Sequence, residues 1–223
     1  LDIAVKSLVV LNKSVPNNKY LKKISYNINN FKIESINFIK YYYPFIWNKE
    51  MSSYDKRIFI QTWEETLNKI TFNNNCFVHK DFFSNNLIYL PNKNNHLRCG
   101  IIDYQDAYFG DQALDFVSLF QDSRRLIKQD FTDDLINYYL DETKQKKDKE
   151  KFLIKYNILG AARQTRILGL WIQLYIEHNK KEYLKYINST WYWLEKNLEH
   201  PFLKNLKELY YNLIPLKKRK NEN

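Results

Sequence analysis

The stretch of sequence that decides the fold runs from residue 77 to residue 88 and reads Phe-Val-His-Lys-Asp-Phe-Phe-Ser-Asn-Asn-Leu-Ile. Its polar loop joins the apolar segment 76–78 to a second apolar segment, 86–90, and a third follows at residues 97–103. Short apolar runs bounded by turn residues predict strands. The polar residues 91–96 begin with Pro91 and predict a turn. The second and third strands should therefore form a β-hairpin.

Helical spacing of apolar residues dominates the rest of the chain. It predicts helices over residues 2–11, 33–43, 53–70, 114–127, 131–140, 152–176, 182–197 and 202–214, with a charged loop at 141–150. Pro16, Asn17 and Asn18 should close the first helix, and Pro44 should end the second. Only four glycines and five prolines interrupt the 223 residues. The predicted fold class is α+β, a mainly helical body with one small hairpin.

The loop before the hairpin contains the pattern His-x-Asp-x-x-x-x-Asn, formed by His79, Asp81 and Asn86. This pattern is typical of the catalytic loop of kinases, in which the Asp orients or deprotonates the accepting hydroxyl group and the Asn binds magnesium. Three fixed residues alone are a moderate signal. Whether this motif is a kinase catalytic loop therefore depends on the surrounding sequence.

The predicted hairpin supplies that context. A turn centred between residues 94 and 95 would place Asn86 directly opposite Asp103, and opposed residues of antiparallel strands lie about 4.5–5.5 Å apart between Cα atoms. A carboxamide and a carboxylate would then converge near Asp81. Such hard oxygen ligands suit Mg²⁺ bound beside phosphate oxygens. A metal ion and a base beside the nucleophile are what phosphoryl transfer requires.

The segments around Asp81, around Asp103 and at residues 115–119 together resemble the aminoglycoside phosphotransferase and choline kinase superfamily. Within it, the chain is most similar to bacterial anomeric kinases for N-acetylmuramate and N-acetylglucosamine, which serve the recycling of cell-wall sugars. The resemblance implies a protein-kinase-like C-terminal lobe over residues 1–214, with its catalytic loop at 77–90 and its metal strand at 97–107, followed by a basic tail at 215–223. It also implies ATP as the phosphate donor, Mg²⁺ as the cofactor and an amino sugar as the acceptor.

Carried over by position, the resemblance implies roles for five residues around the loop. Asp81 would be the catalytic base, and Asn86 and Asp103 would bind the magnesium ion. His79 would stiffen the loop, and Asp115 would accept hydrogen bonds from the loop's backbone.

Asp106 and Arg163 are further candidates for contact with the substrate. Asp106 could bind a sugar, although an Asp after a strand serves equally well as a turn or cap residue. Arg163 could bind a phosphate or a sugar carboxylate, although an arginine in the middle of a helix is usually a surface residue. Both readings stay open at this point.

The sequence departs from the family in two respects. Related sugar kinases tend to place His and Arg where Phe83 and Asn85 stand here. This difference does not affect Asp81, Asn86 or Asp103, but it leaves the identity of the acceptor undetermined. No glycine precedes Gly100, so the glycine loop and strand-borne lysine that hold the nucleotide phosphates are expected upstream of Leu1. We therefore expect a longer polypeptide with an N-terminal nucleotide lobe, with a fused P-loop ATPase domain as one option. The 223 residues alone should be inactive.

The net charge of +10 and the pI of about 9.3 suggest an anionic partner. Because the excess is mainly Lys, we interpret it as a solvated surface, and nucleic acid is not the expected partner. The aromatic clusters at residues 41–43 and 191–193 keep an RNA-associated protein open as an alternative. Aromatic residues at helical spacing, however, more often fill a core.

Other function classes are weighed against the amino-sugar kinase. An aminoglycoside or choline-type kinase fits the same motifs, and an inactive kinase-like binding module is disfavoured because Asp81, Asn86 and Asp103 are all retained. Cys76 and Cys99 have no CxxC spacing, so they predict reduced core residues and neither a disulfide nor a zinc site. The sequence shows no signal peptide and no long apolar run, which predicts a cytoplasmic protein without a membrane partner.

Overall fold

The computed structural model describes residues 1–14, 21–127 and 129–219. The chain divides into two compact units, each built from two separate segments. Unit 1 comprises Leu1–Tyr26 and Phe72–Tyr156, and unit 2 comprises Asn27–Thr71 and Asn157–Asn223. The described residues are mostly helical with two small antiparallel sheets, which confirms the predicted α+β class in its broad form.

The helices and strands are numbered in chain order. Helices α1 to α9 span Asp2–Ser14, Ile28–Asn37, Tyr43–Trp47, Ser53–Leu67, Ala113–Phe120, Gln129–Glu142, Lys149–His178, Ile187–Leu198 and Lys204–Leu213. Strands β1 to β4 span Cys76–Val78, Leu87–Tyr89, Cys99–Ile101 and Tyr108–Gly110. In the described part of the chain, no helix is long and apolar enough to cross a bilayer.

Unit 1 contains both sheets. Strand β2 pairs with β3 as the predicted hairpin, and β1 pairs with β4. The strand β4 was not predicted, because its three residues carry no alternating pattern and their partner lies far away in the sequence. Phe109 in β4 also exchanges backbone hydrogen bonds of 2.8 Å with Lys22 and Ile24 on its other side. The strand that leads into the catalytic loop is thereby held in a small sheet.

The core of unit 1 contains a cluster of three aromatic rings. The rings of Phe116, Tyr139 and Phe152 pack against each other, with centroids 4.6 Å apart for Phe116 and Tyr139 and 5.6 Å apart for Phe116 and Phe152. All three side chains are buried. Burial of one large apolar side chain contributes about 1.5–3 kcal/mol, so this cluster holds α5 firmly in place. Helix α5 carries the residues that fix the catalytic loop.

The core of unit 2 is built mainly from aromatic residues. Phe31 stacks on Trp63 with centroids 4.0 Å apart, and the Trp63 indole nitrogen donates to the Tyr210 hydroxyl at 3.3 Å. Gly169 on α7 is equally important, because a Cβ there would lie only 2.3 Å from the backbone carbon of Asn37. The absence of a side chain lets α7 touch the end of α2 directly.

The second predicted helix does not end at Pro44. A π-helical turn, Phe38–Tyr42, connects α2 to α3, and Pro44 lies in the first turn of α3. Proline is tolerated there because the first amide groups of a helix have no partner within it. The segment ends instead at Asn48, whose φ of 50° is left-handed.

The predicted helix over residues 114–127 is also wrong in its extent, because α5 ends at Phe120. Gln121 leaves the helical region, and the Asp122 carboxylate accepts from the Arg124 amide at 3.0 Å. A short polar side chain that binds the backbone two residues later favours a turn over a helix. The predicted helices over 182–197 and 202–214 begin as 3-10 turns, Lys181–Tyr186 and Pro201–Leu203, and the predicted loop 141–150 is largely helical.

The predicted C-terminal tail is folded as far as residue 219. Leu216–Lys218 forms a 3-10 turn, and the buried Arg219 pairs with Glu195 at 2.7 Å. Its guanidinium also lies 4.6 Å from the Trp191 ring. Residues 220–223 and the predicted turn at Pro16, Asn17 and Asn18 lie outside the described residues.

Candidate active site

The catalytic loop lies between the two sheets of unit 1. Strand β1 ends at the buried Val78, the loop follows, and a 3-10 turn, Ser84–Asn86, leads into β2. Asp81 is half-buried at the middle of the loop. Its carbonyl oxygen accepts from the Phe83 amide at 3.0 Å, so a local turn shapes the backbone beside the carboxylate.

Helix α5 holds the loop's backbone through two side chains. The Asp115 carboxylate accepts from the amide of His79 at 2.8 Å and from the amide of Lys80 at 2.9 Å. The Ser118 hydroxyl donates to the Lys80 carbonyl at 2.8 Å. Lys80 has a left-handed φ of 77°, which is unfavourable for a residue with a side chain. These three hydrogen bonds hold it in that conformation.

The pKa of the Asp115 carboxyl is raised to about 7, mainly by its complete burial. The two amide donors act in the opposite direction because they stabilise the charged form, whereas the nearby Asp81 charge raises the pKa further. Asp115 is therefore a buried carboxyl group whose charged form is stabilised by the loop's amides and disfavoured by burial.

His79 connects the loop to the strand that leads to Asp103. Its ring is fully buried, and Nε2 lies 3.0 Å from the Ile102 carbonyl oxygen. A carbonyl oxygen can only accept, so Nε2 carries the hydrogen in this contact. The ring also packs edge-on against Phe82 with centroids 5.8 Å apart. This geometry suits a residue that stiffens the loop.

The predicted pairing of Asn86 with Asp103 is wrong by one residue. Leu87 lies opposite Ile101, and the Ile102 amide donates to the Asn86 carbonyl at 3.1 Å, so Asn86 faces Ile102. The turn contains the 3-10 segment Asn95–Arg98 and has its centre at residue 94 instead of between 94 and 95. Register is fixed by the geometry of the turn, which composition alone did not predict.

Asp103 nevertheless comes close to Asn86. Its φ of 66° is left-handed, and this bend at the end of the hairpin places its Oδ2 3.5 Å from Asn86 Nδ2. The same Nδ2 donates to the Asp81 carbonyl at 3.0 Å, and Gln105 donates to Asp103 Oδ1 at 2.9 Å. The residues predicted as base and metal ligands therefore meet at one place.

This group of residues fits a magnesium ion that shares its ligands with a bound phosphate. Because Asn86 Nδ2 is held at the Asp81 carbonyl, the amide oxygen faces the other way and is available as a ligand. Asp103 is exposed and contributes a carboxylate. Among the described residues, no cluster of three or more His, Cys, Asp or Glu forms a complete metal cage. Mg²⁺ commonly uses one or two protein oxygens together with water and phosphate.

The two candidate substrate residues lie in different units. Asp106 is exposed in a turn closed by the Ala107 amide and the Tyr104 carbonyl at 3.0 Å, in unit 1. Arg163 lies on α7 in unit 2 and is buried, with 7% of its surface exposed, unlike the surface arginine that a mid-helix position usually indicates. The binding roles of both residues stay predictions.

Sequence reasoning missed Ser118 and the pair formed by Asp122 and Arg124. Arg124 donates to Asp122 from Nε at 2.8 Å and from Nη2 at 3.0 Å, and its guanidinium lies 4.3 Å from the centre of the Phe83 ring. No spacing rule connects these positions to the loop. The signal available in sequence was a serine three residues after Asp115, which places both on the same helix face.

Comparison with known proteins agrees with this geometry. Residues 53–153 match the model of the phosphotransferase enzyme family, a segment that includes the catalytic loop, Asp103 and Asp115. The predicted family resemblance is confirmed. Arg163 lies outside the segment that matches the phosphotransferase family.

Two curated relatives share the printed name N-acetylmuramate/N-acetylglucosamine kinase. The protein from Caulobacter vibrioides is 31% identical over 144 residues, which are 65% of this chain and 39% of the relative. The protein from Neisseria meningitidis serogroup B is 24% identical over 140 residues, which are 60% of this chain and 40% of the relative. The matched region thus spans about two fifths of the length of these phosphotransferases.

Proposed function

We propose that the protein containing this chain is a small-molecule kinase that transfers a phosphoryl group from Mg²⁺-ATP to a hydroxyl group of an amino sugar. The observation that carries the proposal is the convergence of Asp81, Asn86 and Asp103 on a loop whose backbone is held by Asp115. The names of the two relatives support N-acetylmuramate or N-acetylglucosamine as the acceptor.

Asp81 acts on the acceptor. Its half-buried carboxylate accepts a hydrogen bond from the attacking hydroxyl group and takes its proton as the new O–P bond forms, while the bond from the γ-phosphorus to the bridging oxygen breaks and ADP leaves. The hydrogen bonds from Asn86 and Phe83 to the Asp81 carbonyl fix its backbone. The backbone that carries the base is therefore fixed before the acceptor binds, which lowers the entropic cost of the reaction.

Asn86 and Asp103 act on the phosphate donor, Mg²⁺-ATP. The amide oxygen of Asn86 and the carboxylate of Asp103 would hold the magnesium ion. When bound, that ion neutralises charge on the phosphate oxygens. Gln105 fixes Asp103 through its hydrogen bond of 2.9 Å, and the left-handed backbone of Asp103 keeps its carboxylate beside Asn86.

An apolar surface next to this pair suits the base of the nucleotide. Ile102 lies opposite Asn86 and Ile88 lies two residues further along β2, so all three share one face of the hairpin. Ile88 is 46% exposed and Ile102 is 44% exposed. We assign this small apolar surface to the base of the nucleotide because it lies on the same face of the hairpin as Asn86, one of the two proposed metal ligands.

Several finer features stay predictions from the resemblance. They are the N-terminal nucleotide lobe upstream of Leu1, its fusion to a P-loop ATPase domain, the cytoplasmic location and the role in cell-wall sugar recycling. An aminoglycoside or choline-type acceptor remains the alternative that the assay below separates from an amino sugar.

The assay compares the natural-length protein with its Asp81→Asn variant. The variant should lose at least about 100-fold in kcat while its affinity for ATP stays nearly unchanged, because the base acts in the transition state. Phosphate transfer is measured by ³¹P NMR with N-acetylmuramate, N-acetylglucosamine, choline and aminoglycosides as acceptors. Asp148→Asn, at an exposed site paired with Lys151, is the control and should behave as wild type. Near-normal turnover by the Asp81 variant would disprove its role, and transfer to choline or aminoglycosides alone would disprove the acceptor class.

A further inference from the structure

Arg124 is a fixed cation beside the catalytic loop for which the proposed reaction has as yet no use. It follows α5 in unit 1, and its side chain keeps 30% of its surface exposed. Its partner Asp122 is 7% exposed and accepts from the Arg124 backbone amide as well as from Nε and Nη2. The guanidinium is therefore held in one orientation by a buried carboxylate.

The guanidinium contacts the catalytic loop at Phe83. Its central carbon lies 4.3 Å from the centre of the Phe83 ring, within the range of a cation–π contact. Phe83 stands two residues after Asp81, and its amide donates to the Asp81 carbonyl at 3.0 Å. The loop itself has an apolar residue at this position, and the positive charge comes from the segment after α5.

The Arg124 guanidinium also has N–H groups that Asp122 does not bind. Of the five N–H groups of an arginine, Asp122 takes one on Nε and one on Nη2. The two on Nη1 and the second on Nη2 are not used by this pair, and they lie on edges of the guanidinium away from Asp122. A fixed guanidinium edge of this kind matches the two oxygens of a carboxylate or a phosphate group.

We propose that Arg124 binds an anionic oxygen of the reactants, either the carboxylate of an acidic acceptor sugar or the transferred phosphoryl group. It places a fixed positive charge beside Phe83, two residues after Asp81. The inference rests on the proposed kinase function for its biological meaning. Because Asp122 already offsets part of the charge and the guanidinium is partly exposed, the affinity for a small free anion should be weak.

The first test measures anion binding by the 223-residue chain without any catalysis. Arginine Nε–Hε signals are followed by ¹⁵N NMR during titration with D-lactate, which carries the carboxylate found in N-acetylmuramate, and with inorganic phosphate. The Arg124 signal should shift in a saturable way with at least one anion, and the same titration should persist in Arg125→Gln. If Arg124 shifts with neither anion, or no more than Arg125 does, the proposal is overturned.

The second test separates the two sources of the anion in the natural-length protein. If Arg124 binds the acceptor's carboxylate, Arg124→Gln should raise KM for N-acetylmuramate at least about 10-fold and leave KM for N-acetylglucosamine unchanged. If it binds the phosphoryl group, kcat should fall equally with both sugars. Arg124→Lys should be less impaired than Arg124→Gln in either case, because lysine keeps the positive charge but lacks the planar pair of N–H donors of a guanidinium.

The control in these kinetics is Arg125→Gln, the neighbouring arginine. Kinetics of Arg124→Gln that match those of Arg125→Gln with both sugars would refute the proposal. A wild-type protein that phosphorylates neither sugar would contradict the proposed function instead, and the anion titration would then still decide the role of Arg124.

Discussion

Two residues of the site have a backbone conformation that their side chains disfavour. Lys80 and Asp103 both have left-handed φ values, 77° and 66°. Each such residue costs about 1–2 kcal/mol relative to an ordinary conformation. The Asp115 carboxylate accepts from the Lys80 amide, Ser118 donates to the Lys80 carbonyl, and Gln105 donates to the Asp103 carboxylate. The chain tolerates local strain at the positions where the loop and the hairpin must bring Asp81, Asn86 and Asp103 together.

Removal of the Asp103 carboxylate should abolish magnesium-dependent transfer. Asp103→Ala in the natural-length protein is expected to lower kcat at least about 1000-fold, because no remaining group supplies that charge to the ion. Mn²⁺ should restore a part of the activity, since it binds the remaining ligands more tightly than Mg²⁺ does.

The control for this variant is Asp103→Asn, which tolerates the left-handed backbone and keeps one oxygen but loses the charge. Its activity should fall between those of the wild type and of Asp103→Ala in a titration with Mg²⁺. A variant that kept the metal dependence of the wild type would show that Asp103 is purely structural.

The raised pKa of Asp115 predicts a specific pH dependence of stability. The carboxyl has a pKa of about 4 when unfolded and about 7 when folded. Between these values the folded chain holds a proton that the unfolded chain has released. The stability contributed by this group is therefore fully present below about pH 4 and is lost as the pH rises to 7, by at most about 1.4 kcal/mol per pH unit.

The measurement compares urea unfolding of the wild type and of Asp115→Asn from pH 4.5 to 8. Asn does not titrate, so the difference in free energy of unfolding isolates this one group. The wild type should lose stability relative to the variant up to about pH 7, and a difference that stays constant with pH would contradict the raised pKa.

At the scale of elements, α5 positions the catalytic loop in unit 1, and the part of α7 in unit 2 contacts the end of α2. Helix α5 presents Asp115 and Ser118 to the loop from one buried face, three residues apart. In unit 2, α7 approaches the end of α2 so closely that only glycine fits at residue 169. Close backbone contact leaves no room for relaxation, so this contact should be sensitive to a single methyl group.

Gly169→Ala should therefore destabilise the chain by about 2–3 kcal/mol. The added Cβ would lie 2.3 Å from the Asn37 carbon and 2.4 Å from the Phe38 nitrogen, and backbone atoms cannot move aside as a flexible side chain can. Gly100→Ala is the matched control, because its nearest neighbour is the Leu90 side chain at 3.3 Å. Thermal unfolding of both variants measures the difference. Equal melting temperatures would show that α7 can shift without cost.

At the scale of the whole molecule, the net charge of +10 is accompanied by mostly buried aromatic residues at the predicted clusters 41–43 and 191–193, of which Tyr192 is exposed, at 40%. Tyr42 is fully buried, and Trp191 and Trp193 are 3% and 6% exposed. The Trp191 indole nitrogen donates to the Tyr42 hydroxyl within unit 2. These buried rings form core and cannot stack on bases, so the RNA-associated alternative loses most of the aromatic surface that, together with the charge, suggested it.

Binding to single-stranded RNA should consequently be weak and purely electrostatic. Fluorescence anisotropy with a labelled oligonucleotide should show an affinity that falls steeply between 50 and 200 mM salt, because released counterions supply the driving force. Binding should be about equal for all sequences, since the buried rings of the two predicted clusters cannot stack on the bases. Binding that is tight at 200 mM salt or depends on sequence would favour the RNA-associated function over the kinase.

Much of this architecture could be predicted because it depends on local patterns. The helix predicted over residues 2–11, the hairpin and the motif of His79, Asp81 and Asn86 follow from apolar spacing and from chemistry that needs fixed residue types at fixed separations. The extent of α5 could not be predicted, since the turn at Asp122 competes with helical propensity. The strand β4 exists only because β1 and residues 22–24 pair with it.

The sequence by itself determined which residues could perform the chemistry, because a base and hard oxygen ligands are defined by their functional groups. Only the tertiary structure decided how they meet. The hairpin register differs by one residue from the predicted one, and the left-handed turn at Asp103 restores its contact with Asn86. Likewise Arg124 reaches Phe83 only through the packing of α5. Contacts between distant segments depend on turn geometry and burial, which no local spacing contains.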